Sequence, residues 1–154
     1  MTPDQEHFVN AMGDTLAGWQ LSRATGRLYG YLLLRGEASS SEQLRAALSL
    51  SSSAVSMAIR ELVAWGLVRT IPHPGSRRFL IEAAGGFEQL LAASHQRTRT
   101  FIRTLRAAEE LTENAQAADR LRDVTDLFTS YVDAGEQVLR QRPQRRTNTQ
   151  GSSC

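Results

Sequence analysis

The most constraining feature of this chain is the stretch at residues 44–70, LRAALSLSSSAVSMAIRELVAWGLVRT, where apolar residues recur at helical spacing on both sides of a short break. The break falls at residues 49–50, and Ser51 or Ser52 can cap the helix that follows it. That second helix is expected to end at Gly66, since glycine tolerates the backbone conformation that often terminates a helix. The stretch therefore predicts two short helices joined by a tight turn.

The first of these helices carries a start signal of its own. Ser40 stands at the N-cap position and Gln43 follows three residues later, which is the spacing of a capping box. We therefore predict a helix over residues 41–48, with Leu44 and Leu48 turned towards a core.

The second helix has two chemically different faces. Its apolar face consists of Val55, Ala58, Ile59 and Leu62. The opposite face, called here the polar front, consists of Ser53, Ser56, Met57, Arg60 and Ala64. Small side chains allow a helix backbone to approach base edges in the major groove of DNA, and serine hydroxyls can donate or accept hydrogen bonds there. Met57 can contact a thymine methyl group, and Arg60 can reach guanine or a phosphate.

Two β-prone runs follow this helix. Residues 67–71 and 78–81 flank the turn sequence PHPGS, which predicts a hairpin with Arg77 and Arg78 near its tip. These arginines can reach the DNA backbone or the minor groove, and the free amides at the start of the second helix can hold a phosphate. The predicted DNA-binding residues are Ser40, Ser51, Ser52, Ser53, Ser56, Met57, Arg60, Arg77 and Arg78. Each part alone fits an ordinary solvated helix or hairpin; the order of the parts favours DNA binding.

The same stretch resembles the MarR superfamily of bacterial winged helix-turn-helix regulators. The matching positions are Leu44, Leu48, Leu50-Ser51, Val55-Ser56, Leu62 and Gly66-Leu67-Val68-Arg69. The segments GRLYGYLLLRGEASS and PHPGSRR look more like the GbsR branch of that superfamily. The resemblance implies a mainly α (α+β) fold, a winged helix-turn-helix with a two-stranded wing plus N- and C-terminal dimerisation helices.

Two positions depart from the family pattern. Ser49 stands where the family usually has glycine, and a left-handed turn would be strained by serine, so the turn is expected to differ slightly. The wing lacks the family's D-x-R signature and offers Gly75, Ser76, Arg77 and Arg78 instead. Which wing arginine contacts DNA is therefore left open.

The flanking segments predict a dimerisation frame. A reader at about residues 22–84 lies between helices at about 4–20 and 86–141, whose apolar stripes need partners that so small a reader cannot supply. We predict one regulator domain over residues 1–141 that forms a homodimer on a palindromic operator. The tail at 142–154 has no apolar periodicity and is predicted to be disordered.

A small-molecule effector is a further expectation from the resemblance. Many members of the superfamily respond to small molecules, and GbsR is associated with choline. A quaternary ammonium group needs an aromatic cage, for which Trp19, Tyr29 and Tyr31 are the candidates. Trp19 and Tyr31 also lie on the predicted core stripes, so packing is the favoured explanation for these rings.

Composition and motifs exclude several other classes. The three histidines are far apart without metal-ligand spacing, so no metal or cofactor is expected, and Cys154 lies alone in the tail. There is no phosphate loop or nucleophile elbow, so no enzyme is expected. No apolar run is long enough for a membrane span or a signal peptide, which predicts a cytoplasmic protein. The leading hypothesis is a transcriptional repressor that binds double-stranded DNA; the alternative is a winged-helix adaptor that binds another protein.

Overall fold

The structure is a computed structural model that describes residues 1–142. Residues 143–154, which make up the tail predicted to be disordered except for Arg142 and which include Cys154, lie outside the described residues. In chain order the elements are α1 (Pro3–Ala17), α2 (Arg23–Leu34), β1 (Ser39–Ser40), α3 (Ser41–Leu48), α4 (Ser52–Ala64), β2 (Val68–Pro72), β3 (Phe79–Ala83), α5 (Phe87–Ala107) and α6 (Ala115–Gln141), with a 3-10 helix at Ala108–Leu111. The fold is mainly helical with a small antiparallel sheet, as predicted.

The part of the chain that the structure describes forms two compact units, Met1–Gln89 and residues 90–142. The boundary falls within the first turn of α5. Helix α1 belongs to the same unit as α2, α3, α4 and the sheet. Within residues 1–142, no helix has both the length and the apolar composition that are needed to cross a membrane.

The sheet of the first unit has the strand order β1-β3-β2. Strands β2 and β3 form the predicted hairpin, in which Thr70 pairs with Ile81. Strand β1 pairs antiparallel with the other edge of β3, with Ser39 opposite Ile81. This third strand was not predicted, because two residues are too few to show an alternating pattern. It attaches the start of α3 to the hairpin.

The core of the first unit lies between α2, α3, α4 and the sheet. Its fully buried leucines are Leu28, Leu44, Leu48, Leu62 and Leu67. The inward positions predicted for α3 and α4 are therefore confirmed for Leu44, Leu48 and Leu62, and Val55 and Ala58 are buried as well. This buried apolar surface fixes the helices, because each apolar side chain removed from water contributes about 1.5–3 kcal/mol.

Helices α1 and α2 approach each other at glycines. A Cβ atom on Gly26 would lie 2.8 Å from the carbonyl oxygen of Met12, and one on Gly30 would lie 2.9 Å from the Met12 Cβ. The buried side chains of α1 are Val9 and Leu16, while Phe8 and Met12 are half-buried. Because Gly26 and Gly30 lack a side chain, α1 can lie close to α2 at this face.

The second unit contains most of α5 and all of α6. Asn114 caps α6 as its sequence indicates, with its side chain accepting from the amide of Ala117. Phe101 and Phe128 meet edge to face at 5.1 Å between ring centroids. The Arg99 guanidinium donates to both carboxylate oxygens of Glu136, at 2.9 and 2.6 Å, and this pairing lowers the pKa of Glu136. The helices of this unit are thus joined by both ring and ionic contacts.

Candidate nucleic-acid interface

Helix α4 begins at a serine cap. The hydroxyl of Ser51 accepts a hydrogen bond from the amide of Ala54 at 3.1 Å, so Ser51 is the N-cap and Ser52 is the first helical residue. The helical ladder starts with the amide of Val55, which donates to the Ser51 carbonyl. The amides of Ser52 and Ser53 precede that ladder and point out of the helix start, where an anion can accept from them.

The turn before α4 keeps a left-handed residue without glycine. Ser49 has φ 53° and ψ 43°, so the expected change in turn geometry does not occur. A side chain in this conformation costs about 1–2 kcal/mol. The amides of Ser49 and Leu50 both donate to the carbonyl of Arg45, and Arg27 donates to the carbonyl of Leu48 at 3.2 Å. These bonds satisfy the end of α3 and hold the turn in place.

The two faces of α4 separate as the sequence predicts. Val55, Ala58 and Leu62 are buried, while Ile59 is half-buried. All members of the polar front, Ser53, Ser56, Met57, Arg60 and Ala64, are exposed. The Met57 side chain is 68% exposed. The polar front is therefore free to contact another molecule.

A partly buried hydrogen bond joins α4 to α2, and sequence reasoning missed it. The Thr25 hydroxyl donates to the carboxylate of Glu61 at 2.7 Å, and Thr25 is fully buried. The hydroxyl of Ser22, the N-cap of α2, lies 2.7 Å from that of Thr25. Because Glu61 follows Arg60 in α4, this bond helps to set how the helix is rotated in the unit. The partners lie 36 residues apart, so no local pattern points to the pair.

The hairpin turn is held by its own hydrogen bonds. The amide of His73 donates to the carbonyl of Arg78, and the Arg78 amide donates to the Ser76 hydroxyl at 3.1 Å. Gly75 has φ 74°, which a residue with a side chain adopts only with strain. The exposed Arg77 and Arg78 follow directly. The wing thus presents two adjacent arginines on an ordered turn.

The two wing arginines differ in their contacts. Arg78 donates to the carboxylate of Glu42 on α3 at 3.1 Å, and both side chains are about two-thirds exposed. Within residues 1–142, Arg77 has no ion pair or side-chain hydrogen bond, and the same holds for Arg60 and for Arg45 on α3. The first unit therefore presents unpaired guanidinium groups on α3, α4 and the wing, which is an arrangement suited to a polyanion.

Ser40 lies at the point where β1 passes into α3. Its hydroxyl accepts from the amide of Gln43 at 3.2 Å, and the Gln43 side chain accepts from the Ser40 amide at 2.9 Å. The predicted capping box is therefore confirmed. Ser40 is half-buried, and its hydroxyl already accepts a hydrogen bond in this cap. A contact between DNA and this hydroxyl would therefore have to share the hydroxyl with the cap.

The aromatic residues named as a possible effector cage lie in two places. Trp19 contacts Phe87 edge to face at 5.4 Å, and Tyr29 lies 6.3 Å from the same ring. Burial, with a smaller contribution from Glu88, raises the pKa of Tyr29. The Tyr31 ring instead has the guanidinium of Arg35 over its face at 5.7 Å. Phe87, which the sequence reasoning did not include, is the ring that joins Trp19 to Tyr29.

These elements together define a class of protein. Helix α3, the left-handed turn, helix α4 and the β2–β3 hairpin follow one another in the first unit, with β1 as a third strand. This is the winged helix-turn-helix arrangement, in which the second helix is the one that enters a DNA groove.

Comparisons with known proteins narrow the class to one family. A family model described as MarR family matches residues 19–78. The HTH-type transcriptional regulator MmpR5 of Mycobacterium tuberculosis is 31% identical over 150 residues, covering 93% of this chain and 89% of that protein. The chain is also similar to the crystal structure of a transcriptional regulator, with 29% sequence identity and a TM-score of 0.61 over 89% of this chain and 96% of that one. The chain belongs to the MarR family of transcriptional regulators, so it is a regulator and not an enzyme.

Proposed function

We propose that this regulator is a homodimeric repressor that binds a palindromic operator through the polar front of α4 and the arginines of the wing. The observation that carries the proposal is the polar front itself. Its five residues are all exposed, although the opposite face of the same helix is packed in the core. A helix of this kind can enter the major groove without unfolding or exposing its own apolar side.

In the proposed complex, each part of the interface has a distinct role. Arg60 reads a guanine or contacts a phosphate, while Met57 contacts a thymine methyl group. Ser52, Ser53 and Ser56 approach the backbone and the base edges, and the amides of Ser52 and Ser53 donate hydrogen bonds to a phosphate. Ser40 and Ser51 fix the starts of α3 and α4 close to the sugar-phosphate backbone. Arg77 and Arg78 contact phosphates on either side of the minor groove.

The homodimer is supported by the surface of the second unit. Helix α6 exposes an apolar stripe made of Val124, Leu127, Tyr131 and Val138, spaced by three, four and seven residues. Leu127 is 68% and Tyr131 is 73% exposed in the single chain. A stripe of this regularity is typical of a helix that packs against another helix. A dimer carries two readers, and two readers that bind half-sites roughly 34 Å apart on one duplex have a greatly increased affinity for a palindrome.

Finer assignments follow from the resemblance and are also proposals. Membership of the GbsR branch is supported by the segments GRLYGYLLLRGEASS and PHPGSRR. A small-molecule effector is proposed from the resemblance alone, and its chemical identity is left open. If it carries a quaternary ammonium group, Trp19, Tyr29 and Tyr31 stay the candidates for its aromatic cage, although packing is the favoured explanation for these rings. A regulator that acts on chromosomal operators would work in the cytoplasm.

The experiment that tests the proposal is selection of bound duplexes from a random pool by the purified full-length chain. We expect a palindromic sequence with two half-sites about 10 base pairs apart. Binding of that sequence should weaken steeply as salt increases, because several phosphate contacts release counterions. Enrichment of no sequence, together with no duplex binding in dilute buffer, would contradict the proposal and favour the adaptor that binds another protein.

A further inference from the structure

One acidic side chain lies directly against the basic surface assigned to DNA. Glu42 is in the first turn of α3, and its carboxylate accepts a hydrogen bond from Arg78 of the wing at 3.1 Å. The two residues are 36 positions apart in the chain, so the contact is created by the fold. It joins the start of α3 to the tip of the hairpin.

Arg78 also lines a groove between α3 and the wing. The groove has a volume of about 430 Å³ and is lined by Ser40, Gln43, His73, Ser76, Arg78 and Leu80. Hydroxyl, imidazole and guanidinium groups are donors that suit a phosphodiester. Arg78 is the lining residue that carries a permanent positive charge, and its charge is balanced by Glu42 in the free protein.

The pair is weak enough to exchange for another anion. Both side chains are about two-thirds exposed, at 70% for Arg78 and 66% for Glu42, and exposed pairs contribute about 0–1 kcal/mol. A phosphate that enters the groove either displaces Glu42 from the Arg78 guanidinium or stays close to the Glu42 carboxylate, which repels it. Both effects act against DNA binding. Arg77, which is unpaired within residues 1–142, has no such opposing charge.

We propose that Glu42 is an affinity-limiting residue: by pairing with Arg78, it reduces the net contribution of this wing arginine to DNA binding. The inference rests on the proposed function, since it concerns the strength of the same DNA contact. As a consequence, the two adjacent arginines contribute unequally to DNA binding. Arg77 contributes a full phosphate contact, while Arg78 contributes one that Glu42 largely offsets.

The test compares Glu42→Gln with the wild-type full-length chain on a duplex of arbitrary sequence and on a selected operator. Glutamine keeps the size of the side chain but removes its charge, and the capping box of α3 is unaffected because it is formed by Ser40 and Gln43. We expect E42Q to bind both duplexes about 3- to 10-fold more tightly near 0.1 M salt, and its salt dependence to steepen by about 0.9 for each engaged reader. An unchanged or weakened affinity would overturn the proposal.

Asp14→Asn is the matched control. Asp14 on α1 is 70% exposed and pairs with Arg23, so the variant removes one carboxylate from an exposed arginine pair outside α3, α4 and the wing. A gain in D14N equal to that in E42Q would show that net charge alone is responsible and would also overturn the proposal. Arg78→Gln should cost little in the wild type and clearly more in the E42Q background; equal costs would contradict the offset. Failure of the wild-type chain to bind any duplex would instead contradict the proposed function.

Discussion

Helices α4 and α6 differ in how far their apolar faces are exposed to solvent. In α4 the apolar face is buried and small polar side chains are exposed, whereas α6 exposes Leu127 and Tyr131 almost as fully as a polar surface residue. The difference shows that the apolar face of α4 is covered within its own unit, while the apolar stripe of α6 lacks a packing partner in the single chain. A contact with DNA suits the first surface, and a contact with another protein copy suits the second.

Shortening a side chain on the buried face of α4 tests whether this face is packed in the core. Leu62→Ala should lower the free energy of unfolding by about 2–5 kcal/mol, because it removes a fully buried side chain and leaves a cavity. Chemical denaturation of the full-length chain measures the change. Met57→Ala, on the exposed face of the same helix, should change stability by less than about 0.5 kcal/mol. Equal losses in the two variants would show that the two faces are not separated as described.

A charge placed on the apolar stripe of α6 tests whether this stripe is the dimer interface. Leu127→Asp should weaken self-association at least about 100-fold, or roughly 3 kcal/mol, because a carboxylate would be buried in the proposed interface. Folding should be retained, since Leu127 is exposed in the single chain. Analytical ultracentrifugation of the full-length protein measures the change. Ser130→Asp, also exposed on α6 but off the stripe, is the control; a dimer unaffected by L127D would exclude the stripe as the interface.

Much of the reader could be predicted because its signals are local. The caps at Ser40 and Ser51 and the inward position of Leu62 each depend on residues within one or two helical turns. These features fix the order and the faces of the helices.

The parts that could not be predicted depend on contacts between distant residues. Strand β1 forms only because β3 has a free edge beside it. The bonds from Thr25 to Glu61 and from Arg78 to Glu42 each join residues 36 positions apart. Likewise, the close approach of α1 and α2 depends on two glycines of α2 that lie opposite Met12 of α1. Such contacts are set by the fold, and no spacing within one segment indicates them.

The central claim is that the polar front of α4 reads bases, and Arg60 tests it most directly. Binding of Arg60→Ala should be measured on the selected operator and on its single-base variants, with Arg77→Ala as the control. We predict that R60A loses about 1–3 kcal/mol on the preferred sequence and no longer discriminates at one position of each half-site, while R77A weakens binding evenly across all variants. An R60A protein that ranks every variant as the wild type does would contradict base reading by this helix.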